Sequence, residues 1–176
     1  MITKNIQKIK IINRQFKLLK EKKCWYVSCG RNVGSSFQLC LGEKIRRKKA
    51  LGNKFHPKSF RENTAEYAFL VWCSWRLSKD DKLIVTSDDC DNHYKWCKYL
   101  RKLIGLRIIK IQLMNCFFDF KIIFNEGWQI HIFCDNGNKD PSIDTNWEIF
   151  IPGDYLISVG THQNIDCPQR QKKQEK

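Results

Sequence analysis

Thiols and imidazoles are the side chains best suited to catalysis or metal binding, and the sequence has nine cysteines and four histidines. With so many of both, chance alone produces numerous Cys/His pairings, so their number does not indicate a nucleophile with its base. His131 stands between Ile130 and Ile132, and strand-like alternation there places its ring on the opposite face from those two side chains. Motifs of a nucleophile elbow, a zinc-protease helix and a phosphate-binding loop are missing from the sequence. The sequence therefore predicts a protein that is not an enzyme, and an unrecognised hydrolase is the third hypothesis.

A cluster of metal-ligand types lies around residue 93, where Cys90, Asp91, His93 and Cys97 follow one another closely. His93 and Cys97 are spaced i, i+4, which places both on one side of a helix. This spacing supplies two firm ligands, whereas a structural zinc ion requires four. We predict no metal and no cofactor, and the sequence leaves open whether Cys90, His93 and Cys97 bind a metal.

Carboxylates also precede this segment, at Asp88, Asp89 and Asp91. Paired carboxylates can hold the metal of a nuclease. Residues directly before a helix more commonly cap its amide groups and interact favourably with its dipole. Capping is the favoured interpretation of these three side chains.

The charge is strongly positive and uneven, at +14 for 32 basic and 18 acidic residues. Residues 43–61 contain eight Lys and Arg against Glu43 alone, and residues 95–110 contain six and no acid. A surface of this kind attracts acidic proteins or polyanions, although it can also be simply solvated. The candidate partner-binding residues are Arg46, Arg47, Lys48, Lys49, Lys95, Lys98, Arg101 and Lys102. We predict an acidic protein partner, with nucleic acid as the alternative and no membrane.

Cysteine usage and hydropathy indicate the compartment. The first 23 residues have lysines throughout instead of a continuous apolar core, so no secretion signal is predicted. An odd number of cysteines without such a signal indicates reduced thiols in the cytoplasm. The length predicts a single domain over residues 1–160, with an exposed basic loop at 43–63 and a polar, disordered tail at 161–176.

The longest apolar run that ends in an arginine is Glu66 to Leu77 (EYAFLVWCSWRL), which we predict to be one buried strand. Turn residues after it are followed by LIVT at 83–86, which predicts a hairpin. The main amphipathic helix is predicted at about 92–104, with an apolar stripe of Trp96, Cys97, Leu100, Leu103 and Ile104. Residues 2–19 have no clean period, which indicates a short strand or frayed helix, a turn at Asn13 and Arg14, and a second short element.

A weak internal repeat relates the two halves of the sequence. Each half has a Trp followed by a charged and an aliphatic residue, at Trp75-Arg76-Leu77 and at Trp147-Glu148-Ile149. If the repeat is real, Trp75 and Trp147 are core anchors, and Arg76 and Glu148 could face each other across strands. The predicted fold class is α+β, mostly antiparallel β, with two similar β layers and one main helix.

Four segments resemble a little-characterised family of small bacterial proteins: FQLCLG (37–42), EYAFLVWCSWRL (66–77), IIFNEGWQIHIF (122–133) and NWEIFIPGDYLISVG (146–160). The long strand of that family has the form E-Y-A-L-H-V-x-C-x-W-R. This chain departs from it at Phe69 and Leu70, where the family tends to have Leu-His. The family is similar in size and style to immunity and defence-island proteins and has no established catalytic motif. The resemblance implies a binding protein of the immunity or antitoxin type, with a nucleic-acid-binding accessory protein of a bacterial defence or mobile-element system as the alternative.

Overall fold

The computed structural model describes residues 2–30, 34–89, 93–115, 117–135, 145–153, 155–160 and 165–170. Its helices are α1 (Ile2–Leu18), α2 (Lys58–Glu62) and α3 (His93–Leu100), and a 3₁₀ turn at Arg101–Leu103 continues α3. Within these ranges, no helix has the length and apolar character needed to span a bilayer. The predicted helix at about 92–104 is thus present.

Antiparallel strands are the main regular structure of the described chain, as predicted. They are β1 (Cys24–Ser28), β2 (Phe37–Arg46), β3 (Asn63–Val71), β4 (Ser74–Lys79), β5 (Lys82–Thr86), β6 (Ile108–Leu113), β7 (Phe120–Phe124), β8 (Trp128–Phe133), β9 (Thr145–Ile151), β10 (Tyr155–Gly160) and β11 (Ile165–Arg170). They form one sheet in the order β1-β2-β3-β9-β10-β11 and a second in the order β5-β4-β8-β7-β6. The protein is therefore an α+β fold dominated by two antiparallel sheets.

The strand order contains an internal correspondence that fits the predicted repeat. The strands β1 to β5 correspond in order to β6 to β10. When each strand is exchanged for its counterpart, the order β1-β2-β3-β9-β10 of the first sheet becomes β6-β7-β8-β4-β5, which is the order of the second sheet. A helix precedes each set, α1 before β1 and α3 before β6. Apart from β11, each half of the chain thus places three strands in one sheet and two in the other.

The core lies between the sheets, where Trp75 and Trp147 are fully buried as predicted. Phe16 of α1 packs its ring 5.3 Å from Phe120 and 6.1 Å from Trp147. Trp96 of α3 packs 5.8 Å from Trp75. Both helices therefore bury apolar side chains against a tryptophan of the inner layer, and these contacts contribute beyond their buried area.

A backbone bridge joins the sheets at one edge. Lys23 forms an isolated antiparallel bridge with Arg107. The Cys24 amide donates to the Leu106 carbonyl at 2.8 Å, and the Ile108 amide donates to the Lys22 carbonyl at 3.0 Å. Edge groups of β1 and β6 that would otherwise face water are paired in this way.

The segment Glu66 to Leu77 is not one strand, so that prediction was wrong. It divides at Trp72 and Cys73 into β3 of the first sheet and β4 of the second. The Trp72 and Cys73 amides both donate to the Asn146 carbonyl, at 2.9 and 3.2 Å, and Trp72 is 46% exposed. The chain changes sheets there because a distant strand, β9, accepts its hydrogen bonds.

Arg76 and Glu148 consequently do not face each other. Arg76 is opposite Thr86 and His131 in the second sheet. Glu148 is opposite Leu70 and Ser158 in the first. The hairpin predicted after the long run is present as β4 and β5.

The prediction for the N-terminal segment was also wrong, because residues 2–18 form one helix. Ile12, Phe16 and Leu19 are buried, with the four- and three-residue spacing of a helical stripe. Ile6 and Leu18 are apolar but 46% and 51% exposed. Because they interrupt the pattern of buried apolar positions, the helical period is not evident in the sequence.

Two further boundaries differ from the prediction. The exposed loop covers 47–57 and not 43–63, since β2 continues to Arg46 and α2 begins at Lys58. The backbone of β11 pairs with β10, so residues 165–170 of the predicted disordered tail form a strand. Residues 161–164 and 171–176 lie outside the described residues.

Candidate interaction surface

Four of the predicted binding residues surround the end of β2. Arg46 forms an ion pair with Glu62, with Nη1 2.6 Å from Oε2. Arg47 donates from Nε to the Asn63 carbonyl at 3.0 Å. Lys48 and Lys49 are exposed at the start of the loop. Lys48 and Lys49 are therefore better placed for a partner than Arg46, whose charge is already compensated.

The other predicted residues belong to α3 and the turn after it. Lys98, Arg101 and Lys102 are exposed, and the side chain of Lys95 lies outside the described part. On the opposite side, the predicted stripe of Trp96, Cys97, Leu100 and Leu103 is buried. Ile104 is 41% exposed instead, because the helix has ended before it. The basic side of α3 thus faces outward.

An aromatic cluster of Trp25, Tyr26, His56 and Phe60 lies between the two basic groups. The Tyr26 hydroxyl and His56 Nδ1 are 2.9 Å apart, and the Tyr26 and Phe60 rings are 4.5 Å apart. The Arg47 guanidinium lies 5.9 Å from the Phe60 ring. Burial raises the pKa of Tyr26, and the positive charge of Arg101 opposes this rise. Arg47 and Arg101 therefore flank the same cluster, which brings parts of both basic groups together.

The cluster is not evident from the sequence, because Tyr26 and Phe60 belong to separate segments. A signal was present in the pair Trp25-Tyr26 and in the three ring side chains of 55–60. The basic run 44–54 contains no aromatic residue, so stacking groups were not expected beside it.

Hydrogen bonds hold the base of the loop 47–57, which also carries a solvent-exposed aromatic side chain. The Leu51 amide donates to the Arg61 carbonyl at 2.9 Å, and Arg61 Nε donates to the His56 carbonyl at 3.2 Å. The Phe55 amide donates to Asn53 Oδ1 at 3.0 Å. These bonds hold the backbone, while the Phe55 side chain is 98% exposed. Phe55 is therefore an apolar side chain that this basic loop presents to solvent.

A cleft of about 590 Å³ continues the basic character around Trp25. Its charged lining is Lys20, Lys22, Lys23, Lys44 and Arg107 against Glu21 and Glu43. The Lys44 ammonium lies 5.2 Å from the centre of the Trp25 ring. Lys22 forms an ion pair with Glu66, with Nζ 2.7 Å from Oε1. The remaining bases give the cleft a positive field.

Burial suppresses the reactivity of several thiols. It raises the pKa of Cys24 and of Cys40 to about 12. A hydrogen bond with Cys134, together with burial, raises the pKa of Cys73. Thiols in such surroundings remain protonated at neutral pH and are poor nucleophiles.

The metal question concerns residues that are largely outside the described part. Cys90 and the side chain of His93 lie outside it, and Cys97 is 5% exposed in the core. Among the described residues, no three Cys, His, Asp or Glu side chains meet as a metal site.

Asp88 and Asp89 organise the turn after β5. Asp89 Oδ2 accepts from the Thr86 amide at 2.8 Å, and Asp88 Oδ1 accepts from the Ser87 hydroxyl at 3.2 Å. Asp91 and the first contacts of α3 lie outside the described residues, so the capping prediction is untested. The two described carboxylates serve local structure.

Fold and surface together define a two-sheet α+β protein with a basic face that carries aromatic side chains. Comparison with protein-family models, with curated proteins and with solved structures gives no match.

Proposed function

We propose that this is a non-enzymatic binding protein of the immunity or antitoxin type, acting in the cytoplasm. It neutralises an acidic toxin or effector protein through the basic surface formed by the loop 47–57 and α3. The observation that carries this proposal is Phe55, which is 98% exposed on a loop that also contains the exposed bases Lys48, Lys49 and Lys54. The resemblance of the sequence to immunity-type proteins supports it as well.

The charged and the aromatic side chains of this surface have different roles in binding. Exposed charges accelerate association and select partners of opposite charge, whereas buried aromatic anchors supply most of the affinity. Lys48 and Lys49 provide charge without a described ion pair, and Phe55 provides apolar area. A partner with an acidic rim around an apolar pocket fits this arrangement.

The test is co-purification of the full chain with the product of the adjacent gene, together with protection of cells that express that product. We expect Phe55→Ala to increase the dissociation rate and Lys48→Glu with Lys49→Glu to lower the association rate. Lys82→Glu, a charge reversal at the start of β5 in the other sheet, is the matched control and should bind normally. Absence of a complex and of protection would remove the proposal.

Nucleic acid is the second candidate, and the aromatic cluster favours it. A cation beside a partly exposed ring, as in Lys44 with Trp25, accompanies aromatic stacking in proteins that bind single strands. This candidate predicts binding of an unstructured oligonucleotide with an affinity that falls steeply as salt rises. Phe55→Ala should then weaken binding by about 1–3 kcal/mol. Weak binding that is insensitive to salt would exclude it.

A further inference from the structure

Two cysteines from distant parts of the chain meet where β1 ends beside α3. Cys29 directly follows β1, and Cys97 lies on the inner side of α3. The Cys29 thiol points to the Cys97 carbonyl, with Sγ 4.0 Å from the oxygen. The two thiols also affect each other's pKa, which is raised for Cys29 and lowered for Cys97. The Cys29 sulfur therefore lies beside the residue that carries the second thiol.

This pair contains one partly exposed thiol, whereas Cys24 and Cys40 are both buried. Cys29 is only partly buried, so a small reagent can reach the pair from solvent. Arg101, one turn beyond Cys97, interacts with both thiols. The Cys29 hydrogen bond lowers the pKa of Cys97 against the opposing effect of burial, and Arg101 lowers it further. Thiolates next to an arginine are the reactive form of cysteine.

A second thiol pair in the same molecule provides an internal comparison. Cys73 directly precedes Ser74 and Cys134 directly follows Phe133, and Ser74 and Phe133 are opposite each other in β4 and β8. The nearby charge there is Asp135, which raises the pKa of Cys73 together with the hydrogen bond and burial. The two pairs therefore differ in the sign of the nearby charge, which is positive at Cys29 and Cys97 and negative at Cys73.

The geometry points to Cys29 and Cys97 as a redox-active dithiol that peroxides convert to a disulfide. The Cys97 thiolate attacks a peroxide oxygen, the O–O bond breaks, and a sulfenic acid and one water form after a proton is taken up. The Cys29 sulfur then attacks the sulfenic sulfur, the S–O bond breaks, and a second water leaves. In total, two thiols are oxidised by two electrons and one hydrogen peroxide is reduced to two waters.

This inference is independent of the proposed partner, because its test uses the chain alone. The reduced full-length protein is treated with one equivalent of hydrogen peroxide, the remaining thiols are alkylated, and the digest is analysed by mass spectrometry. We expect the thiol count to fall by two, linked peptides containing Cys29 and Cys97, and full reversal by a reductant. Linkage of Cys73 to Cys134 first, or no linkage, would overturn the inference.

Three variants separate the chemistry from a structural effect. Cys29→Ser should stop the reaction at a sulfenic acid on Cys97, which dimedone traps. Arg101→Gln should slow oxidation at least threefold with an unchanged Tm, whereas Lys98→Gln, the matched loss of charge on α3, should not. Equal rates for Arg101→Gln and Lys98→Gln would contradict the role given to Arg101.

Discussion

Lys22 and Glu66 form a two-pronged ion pair, with the Lys22 ammonium 2.7 Å from Oε1 and 2.8 Å from Oε2. The pair connects the turn after α1 with β3, and the hydrogen bond to Glu66 raises the pKa of Lys22 against the effect of burial. Glu66 Oε2 also accepts from the Glu43 amide at 3.1 Å. The carboxylate reaches these donors by passing over Gly42, where a side chain is absent.

Gly42→Ala tests this arrangement. Gly42 has φ of 77°, and a Cβ there would overlap the Glu66 carboxylate. We expect a loss of roughly 1–2 kcal/mol in the free energy of unfolding from the left-handed backbone alone, with a further loss as Glu66 is displaced. Urea denaturation measures it. Gly52→Ala, where a Cβ meets nothing within 4 Å, is the control and should leave the stability nearly unchanged.

Asp81→Gly should stabilise the hairpin of β4 and β5. Asp80 and Asp81 connect the strands with φ of 48° and 61°, and such two-residue turns favour glycine at the second position. We expect a gain of about 0.5–1 kcal/mol, because glycine removes the cost of the left-handed conformation. A thermal melt shows it as a higher Tm. Lys54→Gly, at a residue without positive φ, should give no gain; an equal gain there would refute the explanation.

The pH dependence of stability should include a contribution from His131. Burial, with help from Lys121 and Arg76 on the neighbouring strands, lowers the pKa of His131 from its ordinary value of 6.5. The unfolded chain therefore takes up a proton at a higher pH than the folded chain, so stability falls as pH decreases through 6.5. Denaturation at pH 7.5 and 5.0 should show a smaller loss for His131→Gln than for the unaltered chain. Identical losses would contradict this role.

Trp147→Ala should be among the most destabilising substitutions in the chain. The ring is fully buried, lies 5.0 Å from Phe120, and donates from Nε1 to the Phe118 carbonyl at 3.2 Å. Removal of such a side chain costs about 3–5 kcal/mol. Trp72→Ala is the matched control, since Trp72 is 46% exposed and should cost much less. Chemical denaturation of both variants compares them directly.

The sequence predicted what depends on local pattern. Trp75 and Trp147 were identified as core anchors because each starts a short repeated pattern of aromatic, charged and aliphatic residues, and both are buried. The buried stripe of α3 followed from its spacing up to Leu103. The class of fold followed from the number of strand-like segments.

The rest depends on contacts between distant residues. The break at Trp72 and Cys73 is made by hydrogen bonds to Asn146, and neither residue type indicates a turn. The charge of Arg46 predicts a binding residue, but Glu62 compensates that charge in the folded chain. The aromatic cluster requires Tyr26 to meet Phe60, which only the pairing of β1, β2 and β3 achieves.

Each half of the chain contributes strands to both sheets, which has a consequence for fragments of this protein. Residues up to 89 contain β3, β4 and β5. Of these, β4 pairs with β8 and β3 pairs with β9, and both partners belong to the remainder of the chain. The molecule is organised like a swapped dimer whose two subunits have been joined head to tail. Cut between Asp89 and His93, neither piece should hold a stable core by itself, but the two expressed together should reassemble into one particle.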